Sequence, residues 1–193
     1  MKSDVIIVSN KNDQIEQALV LAEKVAQYKE LPAKGVLRLR LLTEEVMSLV
    51  RAITGDFEGK FWIEDEDNEF QLHLQTLAMI DPDQKKLLIS VASSGKNEAA
   101  KGLLGKIQVF FEPLNSVSFA MDMMALDAAD EYSSVFWSMR TYEEELYSSV
   151  QANKEGSGEA WDELEKSVIA ALADDVKVGV TGNRVEMTVF VKL

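Results

Sequence analysis

Two stretches of the chain alternate apolar and polar residues, and this alternation constrains the fold more than any other feature. The first stretch spans 59–81, with apolar or small residues at alternating positions: Phe61, Ile63, Phe70, Leu72, Leu74 and Thr76. The second spans 175–193, with the alternating positions Val176, Val178, Val180, Val185, Met187, Val189 and Val191. A period of two indicates a strand with one buried face. Each stretch therefore predicts a hairpin, connected by the exposed "EDED" in the first and by Gly182-Asn183 in the second.

Three other segments, 12–31, 34–54 and 159–174, place apolar residues at helical spacing. Residues 82–111 and 113–150 are also expected to be helical. The short run "DVIIVS" at the start of the chain is apolar and β-branched, which is typical of a strand. Because strands occur in hairpins and helices in blocks, the sequence predicts an α+β fold.

The expected architecture is a two-layer α/β sandwich, with helices on one face of a mostly antiparallel sheet. A chain of 193 residues is the usual size of one domain, so we expect a single domain over 1–193. Residues from about 113 to 158 are expected to form a helical insertion within it. The polar "QANKEGSG" at 151–158 is the best candidate for a flexible linker.

Composition and charge exclude several classes of function. The net charge of −13 disfavours binding to nucleic acid or to an anionic membrane surface, since both need basic residues. The chain has no cysteine and one histidine, which excludes disulfides, thiol catalysis and zinc sites built from Cys or several His. The first residues are too polar for a signal peptide, so we expect a cytoplasmic protein. The histidine, His73, is expected at the surface or at a sheet edge rather than in catalysis.

The second predicted helix carries a spacing with possible chemical meaning. In "LTEEVMSLVRA", Glu44 lies four residues before Ser48, so the two side chains share one face of the helix, and Arg51 follows three residues later. This layout, followed by an antiparallel hairpin, resembles the GHKL, or histidine-kinase-like, ATPases. The similarity is nearest to the anti-sigma-factor kinases and other small ATP-binding regulators. The alternative for Glu44 and its neighbour Glu45 is a solvated acidic edge of a structural helix.

The resemblance implies roles for these residues. The family has Glu-x-x-x-Asn here, in which the Glu orients or activates the attacking water and the Asn binds Mg²⁺. Glu44 matches the Glu, and Ser48 replaces the Asn with one neutral oxygen on a shorter side chain. Magnesium requires near-ideal octahedral placement of its oxygen ligands, so this replacement weakens the expected metal site.

Two further family motifs are present in degenerate form. Asp81 matches the adenine-reading Asp of Asp-x-Gly-x-Gly, but Pro82 and Asp83 follow it in place of a glycine-containing turn. Asp-Pro is also a good helix start, which leaves a capping role open for Asp81. The segment "AAKGLLGKI" resembles the family's glycine-rich phosphate turn. It keeps Gly102, Leu103, Gly105 and Ile107, with Ala100 in place of the first glycine, and lysines cluster around it. The candidate nucleotide-binding residues here are Lys101, Gly102, Leu103 and Gly105. The alternative here is a helix with solvated lysines.

The resemblance therefore implies an ATP-binding-type regulatory domain, with ATP and Mg²⁺ as possible cofactors and nucleotide binding weak or lost. An active form would be an ATP-dependent serine kinase or ATPase, and the altered motifs favour an inactive one. Two alternatives stay open: a pseudo-ATPase that serves as a protein-interaction module, and an unrelated structural α+β protein. The stretch 113–150 is rich in Met and aromatic residues beside the acidic run 143–145. We expect a homodimer or a protein partner to bind there.

Overall fold

The structure is a computed structural model that describes residues 1–54, 56–77, 135–181 and 184–193. The described part has six strands and five helices. In chain order they are β1 (Ile6–Ser9), α1 (Asn12–Tyr28), α2 (Ala33–Thr54), β2 (Glu58–Glu66), β3 (Glu69–Leu77), β4 (Val135–Ser138), α3 (Met139–Gln151), α4 (Ser157–Glu165), α5 (Val168–Leu172), β5 (Asp175–Thr181) and β6 (Arg184–Lys192).

The six strands form one antiparallel sheet in the order β1-β2-β3-β6-β5-β4. The β2–β3 and β5–β6 pairs confirm the two predicted hairpins. Pairing of β3 with β6, with Leu72 opposite Val189, joins the two hairpins at the middle of the sheet. Asp67 and Asn68 connect β2 to β3, and both have positive φ, 50° and 64°. Two consecutive residues with positive φ are typical of the type I′ turn, whose twist matches that of the strands.

One face of this sheet is covered by helices. Helix α1 contacts β1 and β2, while α2 contacts β3 and β6. The strands contribute fully buried residues to the space between the layers, among them Phe61, Ile63, Leu72, Leu74, Met187 and Val189. The helices contribute Ala18, Ala22, Val25, Leu42, Val46 and Val50. The prediction of a two-layer α+β sandwich with helices on one face of an antiparallel sheet is therefore confirmed.

The stretch expected to be purely helical, 113–150, is helical only in part of its described residues. Met139–Gln151 is the helix α3, but Val135–Ser138 is the strand β4, which pairs with β5. Ser138 ends the strand and begins the helix, because its hydroxyl accepts a hydrogen bond from the Thr141 amide at 3.4 Å. Val135, Phe136 and Trp137 are consecutive apolar residues without alternation, so the sequence pattern did not distinguish this strand from a helix.

The helix expected over 159–174 consists of two helices, α4 and α5. The break falls at Ser167, whose hydroxyl accepts from the Ala170 amide at 3.5 Å and caps α5. The "EDED" segment is also less exposed than expected, because β2 continues through Glu66 and buries Asp65. The predicted helix at 82–111 and the Gly182-Asn183 turn lie outside the described residues. Among the helices described, none is both long and apolar enough to cross a membrane.

Candidate functional site

The sequence-predicted pair Glu44 and Ser48 lies on the exposed side of α2, one turn apart, and Arg51 is exposed beyond them. The opposite side of the helix is buried, with Leu42 and Val46 fully inaccessible. The amphipathic pattern thus orients the helix so that its apolar stripe faces the sheet and the polar row faces outward. We call Glu44, Ser48 and Arg51 the α2 row.

The electrostatics of the α2 row depend on the adjacent Glu45. This carboxyl is half-buried, and burial, followed by repulsion from Glu44, raises its pKa above the ordinary value for glutamate. Glu44 itself forms no ion pair with any described residue. One turn earlier, Arg40 is already paired with Glu23 of α1. An exposed carboxylate with free lone pairs is able to accept a proton from a water or a hydroxyl placed beside it.

The α2 row offers few oxygen ligands for a metal ion. Ser48 offers one hydroxyl oxygen, whereas Mg²⁺ takes six oxygen ligands and is usually held by one or two carboxylates plus water and phosphate. Within residues 1–54, 56–77, 135–181 and 184–193, no group of three or more His, Asp or Glu side chains is arranged to hold a metal ion. Any Mg²⁺ at this helix would therefore depend on ligand phosphates and on residues beyond the described ones.

The remaining predicted site residues lie outside the described part of the chain. They are Asp81, Lys101, Gly102, Leu103 and Gly105. Strand β3 ends at Leu77, four residues before Asp81 in the sequence.

His73 was expected at the surface or at a sheet edge, and it lies in β3, an interior strand, with its side chain partly buried. Its imidazole stacks on the indole of Trp62 of β2, with ring centroids 4.8 Å apart and an angle of 4° between the planes. The Nδ1 atom lies 3.2 Å from the Thr188 hydroxyl, and Glu186 lies 3.9 Å away. The imidazole is 11% exposed. Burial lowers its pKa below the ordinary histidine value, although the carboxylates of Glu64 and Glu186 act in the opposite direction.

Two surface cavities lie away from the α2 row. The first, of about 250 Å³, lies over β1, β2, β3 and β6, and it is lined by Ile7, Glu58, Gly59, Lys60, Gln75, Thr76, Leu77 and Arg184. The second, of about 330 Å³, lies where β5 and β6 meet the start of α3, and it is lined by Glu69, Arg140, Asp174, Asp175, Lys177, Phe190 and Lys192. We call the second the α3–β5 cavity.

Sequence reasoning missed the α3–β5 cavity, since its residues are scattered over the chain. A partial signal is present in β5 and β6, where Lys177, Phe190 and Lys192 occupy outward positions of the alternating pattern. The register of the two strands was needed to bring them together. Asp175, which opens the apolar alternation of β5, was the other available signal, because a buried carboxylate requires hydrogen-bond donors nearby.

Comparison with known proteins yields no relative for this chain. No family model matches it, and no curated protein and no solved structure is significantly similar to it. The chemistry of its own residues is therefore the basis for assigning a function.

Proposed function

We propose that the protein is a regulatory domain of the histidine-kinase-like ATPase type, nearest to the anti-sigma-factor kinases, with nucleotide binding weak or lost. The observation that carries the proposal is the α2 row. Glu44 and Ser48 lie exposed and one turn apart on the helix that packs against β3 and β6, the two middle strands. The β2–β3 hairpin follows this helix in the chain, and a helix followed by an antiparallel hairpin is the layout of the histidine-kinase-like ATPases.

The chemistry available to the row is limited. Glu44 would act as the base, taking a proton from an attacking water or from a serine hydroxyl of a protein partner. Ser48 would give Mg²⁺ one neutral oxygen where the family has an amide oxygen on a longer side chain. Pro82 and Asp83 stand where the family has a glycine-containing turn. These departures support slow or absent turnover and weak affinity for ATP–Mg²⁺.

A thermal-shift titration with ATP and Mg²⁺ tests the proposal. Binding to the native state raises the melting temperature by mass action, so a weak site gives a shift only near millimolar ligand. Ser48→Asn restores the family's ligand, and we expect it to lower the concentration that produces a given shift. Ser148→Asn, which makes the same replacement at an exposed position of α3 outside the row, is the matched control. A Ser48→Asn variant indistinguishable from the parent at every ATP concentration would count against the assignment.

The second candidate is an interaction module that binds a protein partner or a second copy through 113–150. Within the described part of this stretch, the residues that favour it are exposed Tyr147, 55% accessible, and the neighbouring acidic Glu144 and Glu145. Trp137 and Leu146 are buried in the core, so they do not contribute to such a surface. Phe119, Met121, Met123 and Met124 lie outside the described residues.

Light scattering on a variant with 116–130 replaced by a short Gly/Ser loop distinguishes this candidate. A deletion to residue 150 is unsuitable, because it would remove β4 and α3 and uncover β5. If the module assignment holds, the shorter replacement lowers the molar mass from dimer to monomer or abolishes binding of the partner. An unchanged mass and unchanged partner binding, both in this variant and in Tyr147→Ser, would reject it.

A further inference from the structure

The α3–β5 cavity has three basic and three acidic side chains in its lining. They are Arg140, Lys177 and Lys192, against Glu69, Asp174 and Asp175. Formal charge alone would suggest that they neutralise one another in ion pairs. No ion pair joins any two of these six side chains.

Two of the three acidic side chains, Asp174 and Asp175, accept hydrogen bonds from backbone amides. Asp175 is buried, and its Oδ1 accepts hydrogen bonds from the Arg140 amide at 3.1 Å, the Val176 amide at 2.8 Å and the Ser138 hydroxyl at 3.1 Å. Asp174 Oδ2 accepts from the Lys192 amide at 2.6 Å. These contacts fix the start of α3 and the end of β6, and they hold both carboxylates against the backbone.

The basic groups consequently keep their donors free. Arg140, Lys177 and Lys192 are exposed, and none of them donates a side-chain hydrogen bond to a described residue. The Lys177 ammonium lies over the ring of Phe190, 4.6 Å from its centroid. A cation–π contact holds an ammonium in place without occupying its hydrogen-bond donors. The cavity therefore combines one guanidinium, two ammonium groups, three carboxyl groups and one aromatic ring around a space of about 330 Å³, within the size range of small-molecule sites.

We propose that the α3–β5 cavity binds a small oxyanion, a carboxylate or phosphate group of a soluble small molecule, through Arg140, Lys177 and Lys192. In a chain with a net charge of −13, the lining of this cavity has as many basic as acidic side chains, so it repels an anion less than the acidic surface as a whole does. Arginine offers two parallel donors that match either group. The site shares no residue with the α2 row, so this inference is independent of the proposed function.

Amide chemical shifts followed by NMR during separate titrations with inorganic phosphate and succinate test the proposal. We expect saturable shifts confined to amides around Arg140, Lys177 and Lys192, with a dissociation constant in the millimolar range or tighter. Saturation by phosphate alone or by succinate alone identifies the preferred group, and either result supports the site. The absence of saturation with both probes, or saturable shifts confined to other regions, would overturn the proposal.

Charge-removing variants make the test specific. Arg140→Gln and Lys177→Gln change exposed side chains, and each is expected to weaken binding about tenfold, as for the loss of one charge-assisted hydrogen bond. Lys24→Gln, on the exposed side of α1, removes the same charge far from the cavity residues and should leave the affinity unchanged. Glu44→Gln should also leave it unchanged, which separates this site from the α2 row. Equal weakening by Lys24→Gln would mean that only net charge is sensed and would reject a defined site.

Discussion

The indole of Trp62 and the imidazole of His73 stack in parallel on the face of the sheet opposite the helices, with centroids 4.8 Å apart. They are direct partners in the register of β2 and β3. The Trp62 Nε1 donates to Glu64 at 2.8 Å, and the Lys2 ammonium lies 5.0 Å from the indole centroid. Aromatic cross-strand pairs stabilise a sheet directly, so this stack contributes to the central hairpin.

The stack predicts a specific dependence of stability on pH. Burial lowers the folded-state pKa of His73 from its ordinary value of 6.5, so the unfolded chain binds a proton first as the pH falls. Stability is then fully present above the unfolded pKa and is lost as the pH decreases towards the folded pKa. The titratable or charged groups that act on His73 are Glu64, Glu186 and Lys2.

Urea unfolding of the parent and of His73→Gln between neutral pH and about pH 5 checks this prediction. We expect the free energy of unfolding of the parent to fall more steeply over this interval than that of the variant, because only the parent has His73. The carboxylates titrate in both proteins, so their contribution cancels in the comparison. Parallel curves for the two proteins would contradict the lowered pKa.

A second prediction concerns Gly59 in β2. A Cβ at this position would lie 2.6 Å from the backbone oxygen of Gln75, which belongs to the paired strand and cannot move alone. We expect Gly59→Ala to reduce the free energy of unfolding by about 1–3 kcal/mol through overpacking. Gly158 in α4 is the matched control, since an added Cβ there meets nothing within 4 Å.

In the helix, alanine is favoured over glycine by about 0.5–1 kcal/mol, so Gly158→Ala should leave stability unchanged or raise it. Thermal unfolding of both variants followed by circular dichroism makes the comparison. Equal effects of the two substitutions on stability would show that the close contact of Gly59 with β3 does not exclude a larger side chain.

A third prediction follows from the ion pair of Lys29 with Asp65. The ammonium lies 2.5 Å from Oδ2, and the carboxylate is only 2% exposed. Its other oxygen, Oδ1, has no hydrogen-bond partner among the described residues. Without Lys29, the buried carboxylate would keep only the N-terminal ammonium of Met1, which lies 3.6 Å from Oδ2.

Lys29→Met keeps most of the side-chain length and should lower the free energy of unfolding by about 2 kcal/mol. Lys24→Met, one turn earlier and exposed, should change it by less than about 0.5 kcal/mol. Denaturant titration of both variants measures the difference. A loss at Lys29 no larger than that at Lys24 would mean that solvent already screens the pair.

The sheet and its covering helices were predictable from sequence because their buried faces are long enough to show a period. β2, β3 and β6 each span nine residues. β4 was missed because its residues Val135, Phe136 and Trp137 are consecutive and apolar, without alternation, and continue a stretch that was expected to be helical. Asp65 was placed in an exposed connection because its charge outweighed its position in the alternating pattern, whereas Lys29, the residue that follows α1, makes its burial possible.

The α2 row and the α3–β5 cavity also differ in how far the sequence predicts them. The α2 row was predictable in its placement, because Glu44 and Ser48 are four residues apart on one helix. The α3–β5 cavity was not, since Arg140, Lys177 and Lys192 meet only through the β5–β6 register and the position of α3. Spacing along one helix is enough to predict the α2 row, whereas the α3–β5 cavity can be recognised only from the tertiary structure.

The most direct test of the proposed function is a calorimetric titration of the protein with ATP and Mg²⁺, with ATP turnover assayed in the same samples. We predict a dissociation constant no tighter than the millimolar range, negligible hydrolysis, and tighter binding by Ser48→Asn than by the parent. Micromolar affinity of the parent, together with turnover that Glu44→Gln abolishes, would contradict the claim that the nucleotide site has weakened or been lost.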